Sequence, residues 1–460
     1  MRYYLLTLGC QMNQSDSERI SHVIEEMGYR KAVSEEEADL LGVLSCSVRQ
    51  KSIDKVYSRI AKWNKWKRKK SLVTFVSGCV LPADKEKFLK LFDIVFQPSE
   101  IKQLPEMLSQ YGVASSYSVE QLYPGLEKRE IFDFWQVDPD YQSGFYAYVP
   151  IQNGCDKFCS FCAVPYTRGR EVSRSSGEIV EEIRQLVNNG YKSITLLGQN
   201  VNSYGLDKKG EEISFAELLR KIGRVTDESG KECWIYFTSP HPRDMTDEVI
   251  EVISQHKSLA KQIHLPLQSG DERVLMRMKR NHSVEKYRSI VDSIHKLIPE
   301  ATLFTDIIVG FSGETEAQFE NTRKAMHEFK YNMAYIAKYS PRPGALSARW
   351  EDDISNDIKK KRLEILTDEL KKHSFEYNKT LIGKTLRLLV YGADKKQGYM
   401  TGLTEGKLTV RFPSTEYSLK GSFVDVKISS VTPFAMEGEL IPDNTQKAEN
   451  IISYGAEDCI

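Results

Sequence analysis

The chain has 460 residues, 40% of them hydrophobic, and Lys plus Arg balance Asp plus Glu at 64 each. Such a length supports about two to four domains with enough apolar material for a core in each. Zero net charge removes any global field that would attract nucleic acid or an anionic membrane, so any nucleic-acid contact must come from local patches. Polar Gln11 to Arg19 stand where a signal peptide would need its cleavage region, and no run of about 18 apolar residues suggests a membrane span. The expectation is a cytoplasmic protein without a membrane partner. Eight cysteines in that compartment do not read as a disulfide framework, because its thiols are kept reduced.

In chain order, residues 3–9, 39–45 and 72–77 read as strands, with helices at 15–27 and 50–67 between them. This predicts an N-terminal parallel α/β domain over 1–112. Residues 113–143 lose the rhythm and read as a linker. A second α/β alternation over 144–379 offers six strands, at 145–152, 192–198, 233–238, 261–267, 302–310 and 332–339. One of its helices, 175–189, carries an apolar face of Ile179, Ile183, Leu186 and Val187, with Ser175 and Glu178 as a capping-box pair. Six βα units predict a partial (βα)6 barrel whose strands end at one mouth, where barrel enzymes place their chemistry. After a Lys-rich helix at 356–377, short alternating runs broken by glycine predict a small OB-like β-barrel over 380–441, and 442–460 form a polar tail.

Cys155, Cys159 and Cys162 form a C-x-x-x-C-x-x-C triplet directly after the first barrel strand. Three thiolates on one short loop can hold three corners of a 4Fe-4S cubane, and no fourth cysteine lies near to close it, so one iron stays open. A structural zinc is the alternative, although zinc sites favour paired C-x-x-C knuckles. Cys10, Cys46 and Cys79 are far apart in sequence, yet each stands just past one of the three apolar runs of the first domain. In a parallel sheet those ends share an edge, where open α/β sheets bind ligands, so the three could ligate a second cluster. Singly, each would be an ordinary core cysteine. Cys233 and Cys459 read as ordinary residues.

The stretch Gln152-Asn153-Gly154-Cys155-Asp156-Lys157-Phe158-Cys159-Ser160-Phe161-Cys162 resembles the radical S-adenosylmethionine (radical SAM) signature. Its continuation from Pro165 to Arg174 is similar to that of the methylthiotransferases of the MiaB type, which modify tRNA. Leu8-Gly9-Cys10-Gln11-Met12-Asn13, Gly198-Gln199-Asn200-Val201-Asn202, His264-Leu265-Pro266-Leu267-Gln268-Ser269-Gly270 and Arg342-Pro343-Gly344 match as well. The terminal barrel resembles the family's RNA-binding TRAM domain. The resemblance implies two 4Fe-4S clusters, on Cys155/Cys159/Cys162 and Cys10/Cys46/Cys79, with S-adenosylmethionine on the open iron of the first. It implies a tRNA anticodon stem-loop as substrate, modified at carbon 2 of N6-isopentenyladenosine. That carbon-hydrogen bond is not acidic, which is why a radical is needed.

For cofactor binding the resemblance points to Phe161, by its backbone, and to Gln199, Ser239, Gln268 and Arg280 at the barrel mouth, Arg280 as a bidentate partner for the methionine carboxylate. Arg168, Arg170 and Arg174 are candidates for phosphate or cluster-edge contacts. The terminal barrel carries 8 Lys plus Arg against 6 Asp plus Glu, a weak footprint. The basic run from Lys62 to Lys70 with Trp63 and Trp66 is either an RNA contact or an exposed helix face. A flavodoxin or ferredoxin would supply electrons, and a monomer is expected. The rivals are a relative acting on threonylcarbamoyl-adenosine or on a ribosomal protein, and a non-catalytic iron-sulfur RNA-binding protein.

Overall fold

The computed structural model describes residues 1–47, 50–111 and 133–442. The N-terminal sheet has five parallel strands, β1 (Arg2–Thr7), β2 (Arg30–Lys31), β3 (Leu40–Cys46), β4 (Val73–Cys79) and β5 (Ile94–Val95), in the order β2-β1-β3-β4-β5. Every residue of β3 is buried, as a central strand covered on both faces requires. The two-residue edge strands β2 and β5 escape a reading of the sequence because so short a run carries no alternation.

The first helix, Gln11–Glu26, starts four residues earlier than expected, with Cys10 at its N-cap. Ile20, Val23 and Ile24 enter the sheet's core, yet Asn13, Asp16, Glu18 and Arg19 on the same helix are buried too. The helix lies between this sheet and the next domain, where Gln11 Nε2 donates to Tyr148 Oη at 3.4 Å. On the other face, helix Gln50–Lys67 buries Ile53, Val56, Ile60 and Trp63. Half of its basic run is taken up by its own domain, while Lys65, Arg68 and Lys69 are exposed. Lys62 pairs with Glu35 and Glu36, Lys67 with Asp93, and Lys70 donates to the carbonyls of Glu36 and Ala38. Of the expected linker, residues 113–132 lie outside the described residues. Further on, Phe134 and Val137 are buried in the N-terminal core, and Asp140 N donates to Glu18 O at 3.2 Å.

The six expected barrel strands are all present: β6 (Tyr146–Pro150), then, after a small antiparallel pair β7 (Gln152–Asn153) and β8 (Val172–Ser173), β9 (Ser193–Leu197), β10 (Trp234–Thr238), β11 (Gln262–His264), β12 (Thr302–Val309) and β13 (Met333–Lys338). They pair in parallel as β6-β9-β10 and β11-β12-β13, joined through an Ile235–Leu259 bridge, while β6 and β13 are unjoined edges of a partial barrel. The surrounding helices are capped by Ser214, Thr246, Asp271, Ser283, Thr315 and Ser355, each cap contributing about 1 kcal/mol. The Ser175 capping box does not form. Its side chain makes no cap bond, and Arg174 draws Glu178 away at 3.2 Å.

The C-terminal strands β14 (Thr385–Ala393), β15 (Tyr399–Thr404), β16 (Thr409–Pro413), β17 (Phe423–Val431) and β18 (Met436–Leu440) close a barrel in the order β14-β15-β16-β18-β17 around Leu388, Val390, Met400 and Phe412. This small barrel does not hang free. Leu389, Tyr391 and Phe423 pack on Trp234 and Tyr236 at the amino ends of the large barrel's strands. The turn after β15 is held there as well: Tyr236 Oη donates to Glu405 O at 3.0 Å, and Thr302 Oγ1 to Gly406 O at 2.8 Å. A Cβ on Gly406 would stand 2.6 Å from Thr302 Cγ2, so the close approach needs glycine. Among the described residues no helix is long and apolar enough to cross a membrane.

Candidate active site

Cys155, Cys159 and Cys162 sit on the loop between β7 and β8, at the carboxyl ends of the barrel strands. Gly154 lets the loop turn: its φ is +81°, and a Cβ there would lie 1.9 Å from Arg170 O. Gly154 N donates to Gln199 Oε1 at 2.5 Å, Cys155 N to Gly169 O at 3.1 Å, and Ser160 Oγ to Arg277 O at 2.7 Å. Burial, followed by the neighbouring cysteines, pushes the Cys162 thiol up to about 11; burial first and foremost pushes Cys155 up to about 12. A coordinating metal is what takes protons off such thiols.

The second triad is assembled by the sheet. Cys46 and Cys79 end β3 and β4 as register partners, and Cys10 caps the helix that follows β1. Asn13 Oδ1 accepts from Cys10 Sγ at 3.6 Å and from Cys79 Sγ at 3.7 Å, while its Nδ2 donates to Ser45 O at 2.7 Å. Gly78, at φ +97°, permits this crowding, since a Cβ would lie 2.5 Å from Ser45 O. Only one set of three metal-ligating side chains among the described residues has all its donor atoms within 4.8 Å, and it contains no cysteine. A single zinc would need its three sulfurs about 3.8 Å apart, and neither cysteine triad has all three within 4.8 Å of one another.

Arg168 connects the two. It follows Cys162 by six residues, yet its Nε donates to Cys79 Sγ at 3.0 Å, and its two terminal nitrogens reach Asp16 at 3.2 and 2.5 Å. Arg168 is 4% exposed and Asp16 fully buried. Of the three candidate arginines only Arg168 meets a cysteine: Arg170 is exposed on Asp156, and Arg174 pairs with Glu178 and Glu182. Arg280 does not present an open fork, since Nη1 donates to Cys159 Sγ at 3.6 Å and Nη2 to Pro266 O at 2.9 Å.

Between the domains lies a cavity of about 910 Å³, lined by Cys10, Gln199, Ser239, His264 and Lys407 among others. Gln268, at φ +72°, stands nearby with its buried Oε1 unpartnered, as are Arg280 Nε, His241 Nε2 and His282 Nε2. Buried polar atoms left in this state ask for a polar ligand. Burial and the Arg280 charge push both histidines down, His282 to about 4, so they face that ligand neutral. Phe161 lies edge-on to Phe311, with ring centroids 6.5 Å apart. Asn13 and His264 stand in the matched stretches without a role assigned to them, while Asp16, Lys407 and Asp306, which pairs with His264 at 2.7 Å, escaped a reading of the sequence. Asn13 and Asp16 left one signal, polar residues on the core-facing helix after Cys10; Lys407 left none.

Family descriptions match three stretches: the Radical SAM superfamily over residues 149–326, the Uncharacterized protein family UPF0004 over 2–97 and the TRAM domain over 379–441. The chain is 36% identical to the tRNA-2-methylthio-N(6)-dimethylallyladenosine synthase of Actinobacillus pleuropneumoniae serotype 3 (strain JL03), across 99% of this chain and 95% of that protein. It is 37% identical to the protein of the same name from Cellvibrio japonicus (strain Ueda107), across 96% of each. Among solved structures, the radical S-adenosylmethionine methyltransferase TsrM of Kitasatospora setae has the same fold at a TM-score of 0.52 and 12% identity, over 73% of this chain and 72% of that one.

Proposed function

Because the chain belongs to the family of the tRNA-2-methylthio-N(6)-dimethylallyladenosine synthases, we propose that it adds a methylthio group to carbon 2 of N6-isopentenyladenosine beside the tRNA anticodon, using two 4Fe-4S clusters. Cys155, Cys159 and Cys162 hold the first, and Cys10, Cys46 and Cys79 the second. The observation that carries the second cluster is Arg168, which issues from the first cysteine loop and donates to a thiol of the other. When bound, the first cluster with S-adenosylmethionine supplies a 5′-deoxyadenosyl radical, and the second supplies the sulfur.

The protein's part is to bind, orient and exclude water. Gln268 Oε1 and the neutral His241 and His282 are acceptors or donors for the polar groups of S-adenosylmethionine, beside Gln199, Ser239 and the Phe161 backbone. Arg280 steadies Cys159 and retains Nε for the cofactor's carboxylate. Arg168 orients Cys79, and its charge is matched by Asp16, so the link stays closed without a ligand. The cavity has the volume of a small-molecule site, which suits a loop adenosine splayed out of its stack.

Leu5, Met12, Val164 and Leu197 give that cavity an apolar wall for the isopentenyl chain. Lys407 favours the rival substrate: it lines the cavity, its ammonium lies 4.1 Å from the Tyr236 ring centre, and burial holds it down at about 8 with no acid offsetting the shift. A threonylcarbamoyl carboxylate would pair with it. Assays on isopentenylated tRNA, threonylcarbamoylated tRNA and ribosomal protein decide, with turnover expected on the first; turnover only on another overturns the substrate and keeps the reaction. Reductive cleavage of S-adenosylmethionine separates the enzyme from a non-catalytic iron-sulfur protein. The working form is a cytoplasmic monomer fed by a flavodoxin or ferredoxin, with the 380–441 barrel on the anticodon stem.

A further inference from the structure

Far along the chain from the cysteines, helix Glu316–Phe329 packs against helix Asn356–Lys379, the helix that leads into the C-terminal barrel. His327 ends the first helix, and Glu369 and His373 stand one turn apart on the second. Their donor atoms lie within 4.8 Å of one another. Ligands on one zinc-sized ion stand about 3.3 Å apart, so small side-chain shifts bring the three together. The two imidazoles are tilted at 61° with centroids 5.2 Å apart, a geometry that lets ring nitrogens converge without stacking.

The carboxylate is divided between two jobs. Its Oε1 accepts from Arg323 Nη1 at 3.2 Å and Lys372 Nζ at 3.5 Å, while Oε2 faces His373 Nε2 at 3.9 Å. That gap is too long for a hydrogen bond, and the buried His373 Nε2 has no hydrogen-bond partner. Arg323 is also held by Glu320, at 2.6 and 2.8 Å, so it fixes Oε1 without needing Oε2. An oriented carboxylate beside an unsatisfied imidazole is the usual arrangement around a metal ligand set.

We propose that His327, Glu369 and His373 bind one divalent transition-metal ion of the zinc type, with water completing the shell, and that the ion pins the helix carrying the C-terminal barrel to the large barrel. Two imidazoles and one carboxylate suit zinc, cobalt(II) or iron(II) and disfavour magnesium or calcium. The site is separate from both cysteine triads.

The full chain, with its clusters loaded under anaerobic conditions, is dialysed against micromolar zinc chloride, and zinc and iron are counted by mass spectrometry. The wild type should retain one zinc more than His327→Gln/His373→Gln, with iron unchanged in both, and zinc should raise its melting temperature alone. His327→Gln by itself, at an exposed position that the fold does not need, should cut zinc affinity at least tenfold. Equal zinc in wild type and double variant, or zinc gained only as iron is lost, overturns the site.

Discussion

Cys155, Cys159 and Cys162 fall within eight residues of one loop, whereas Cys10, Cys46 and Cys79 come from three segments spread over seventy. Each triad has one buried arginine on one of its sulfurs, Arg280 at 3.6 Å and Arg168 at 3.0 Å, and positive-φ glycine that admits the close approach, Gly154 at the loop and Gly9 and Gly78 at the sheet. The difference lies in what holds the set together. The loop triad is kept close by covalent connectivity, so its arginine needs only a carbonyl partner. The sheet triad depends on strand register, on Asn13 between two thiols, and on an ion pair with another domain. Short chain separation makes a ligand set cheap to order; distant segments require a scaffold that is itself folded.

The largest expected effect splits the triads outright. Triple Ala replacement of Cys155, Cys159 and Cys162 should abolish 5′-deoxyadenosine formation and lower reconstituted iron from about eight to about four per chain. The same change at Cys10, Cys46 and Cys79 should also remove about four irons while 5′-deoxyadenosine still forms. Unchanged iron there would end the second cluster assignment.

Next come the arginines. Arg168→Gln strands Asp16 as a buried charge and should cost about 3–5 kcal/mol by denaturant unfolding. Arg280→Gln strands no carboxylate and should cost about 1–2 kcal/mol. Equal losses would mean that Asp16 is not the reason Arg168 is there. A smaller contrast separates the glycines: Gly154→Ala should deplete the loop site of iron and Gly78→Ala the sheet site, each with about 1–2 kcal/mol of backbone strain. Iron lost from both sites in either variant would show that the two loops fold as one unit.

The smallest effect tests the cavity that Cys10 and Lys407 line. The folded chain holds Lys407 down at about 8, while the unfolded chain keeps that proton to about 10.4. Between those values the folded state binds fewer protons, so stability should rise with pH from about 8 to 10. Lys407→Met should flatten that rise and be the more stable protein at pH 7, read as urea midpoints at several pH values. An unchanged slope would assign the dependence to another group.

The sequence by itself determined what chain neighbours decide: the loop triad, the six barrel strands, the central strands of the first sheet and the β texture of the last domain. Spacing and periodicity are properties of short windows, and these features need nothing else. Tertiary structure alone decided the rest. Cys10, Cys46 and Cys79 meet only because β1, β3 and β4 are adjacent and in register. Arg168 selects Asp16, Lys407 enters the cavity from another domain, and the Ser175 cap yields to Arg174 because distant groups compete for the same partners. Such choices are settled by packing and by the cost of leaving a buried charge or hydrogen-bonding atom alone, and neither is written in any one stretch of chain.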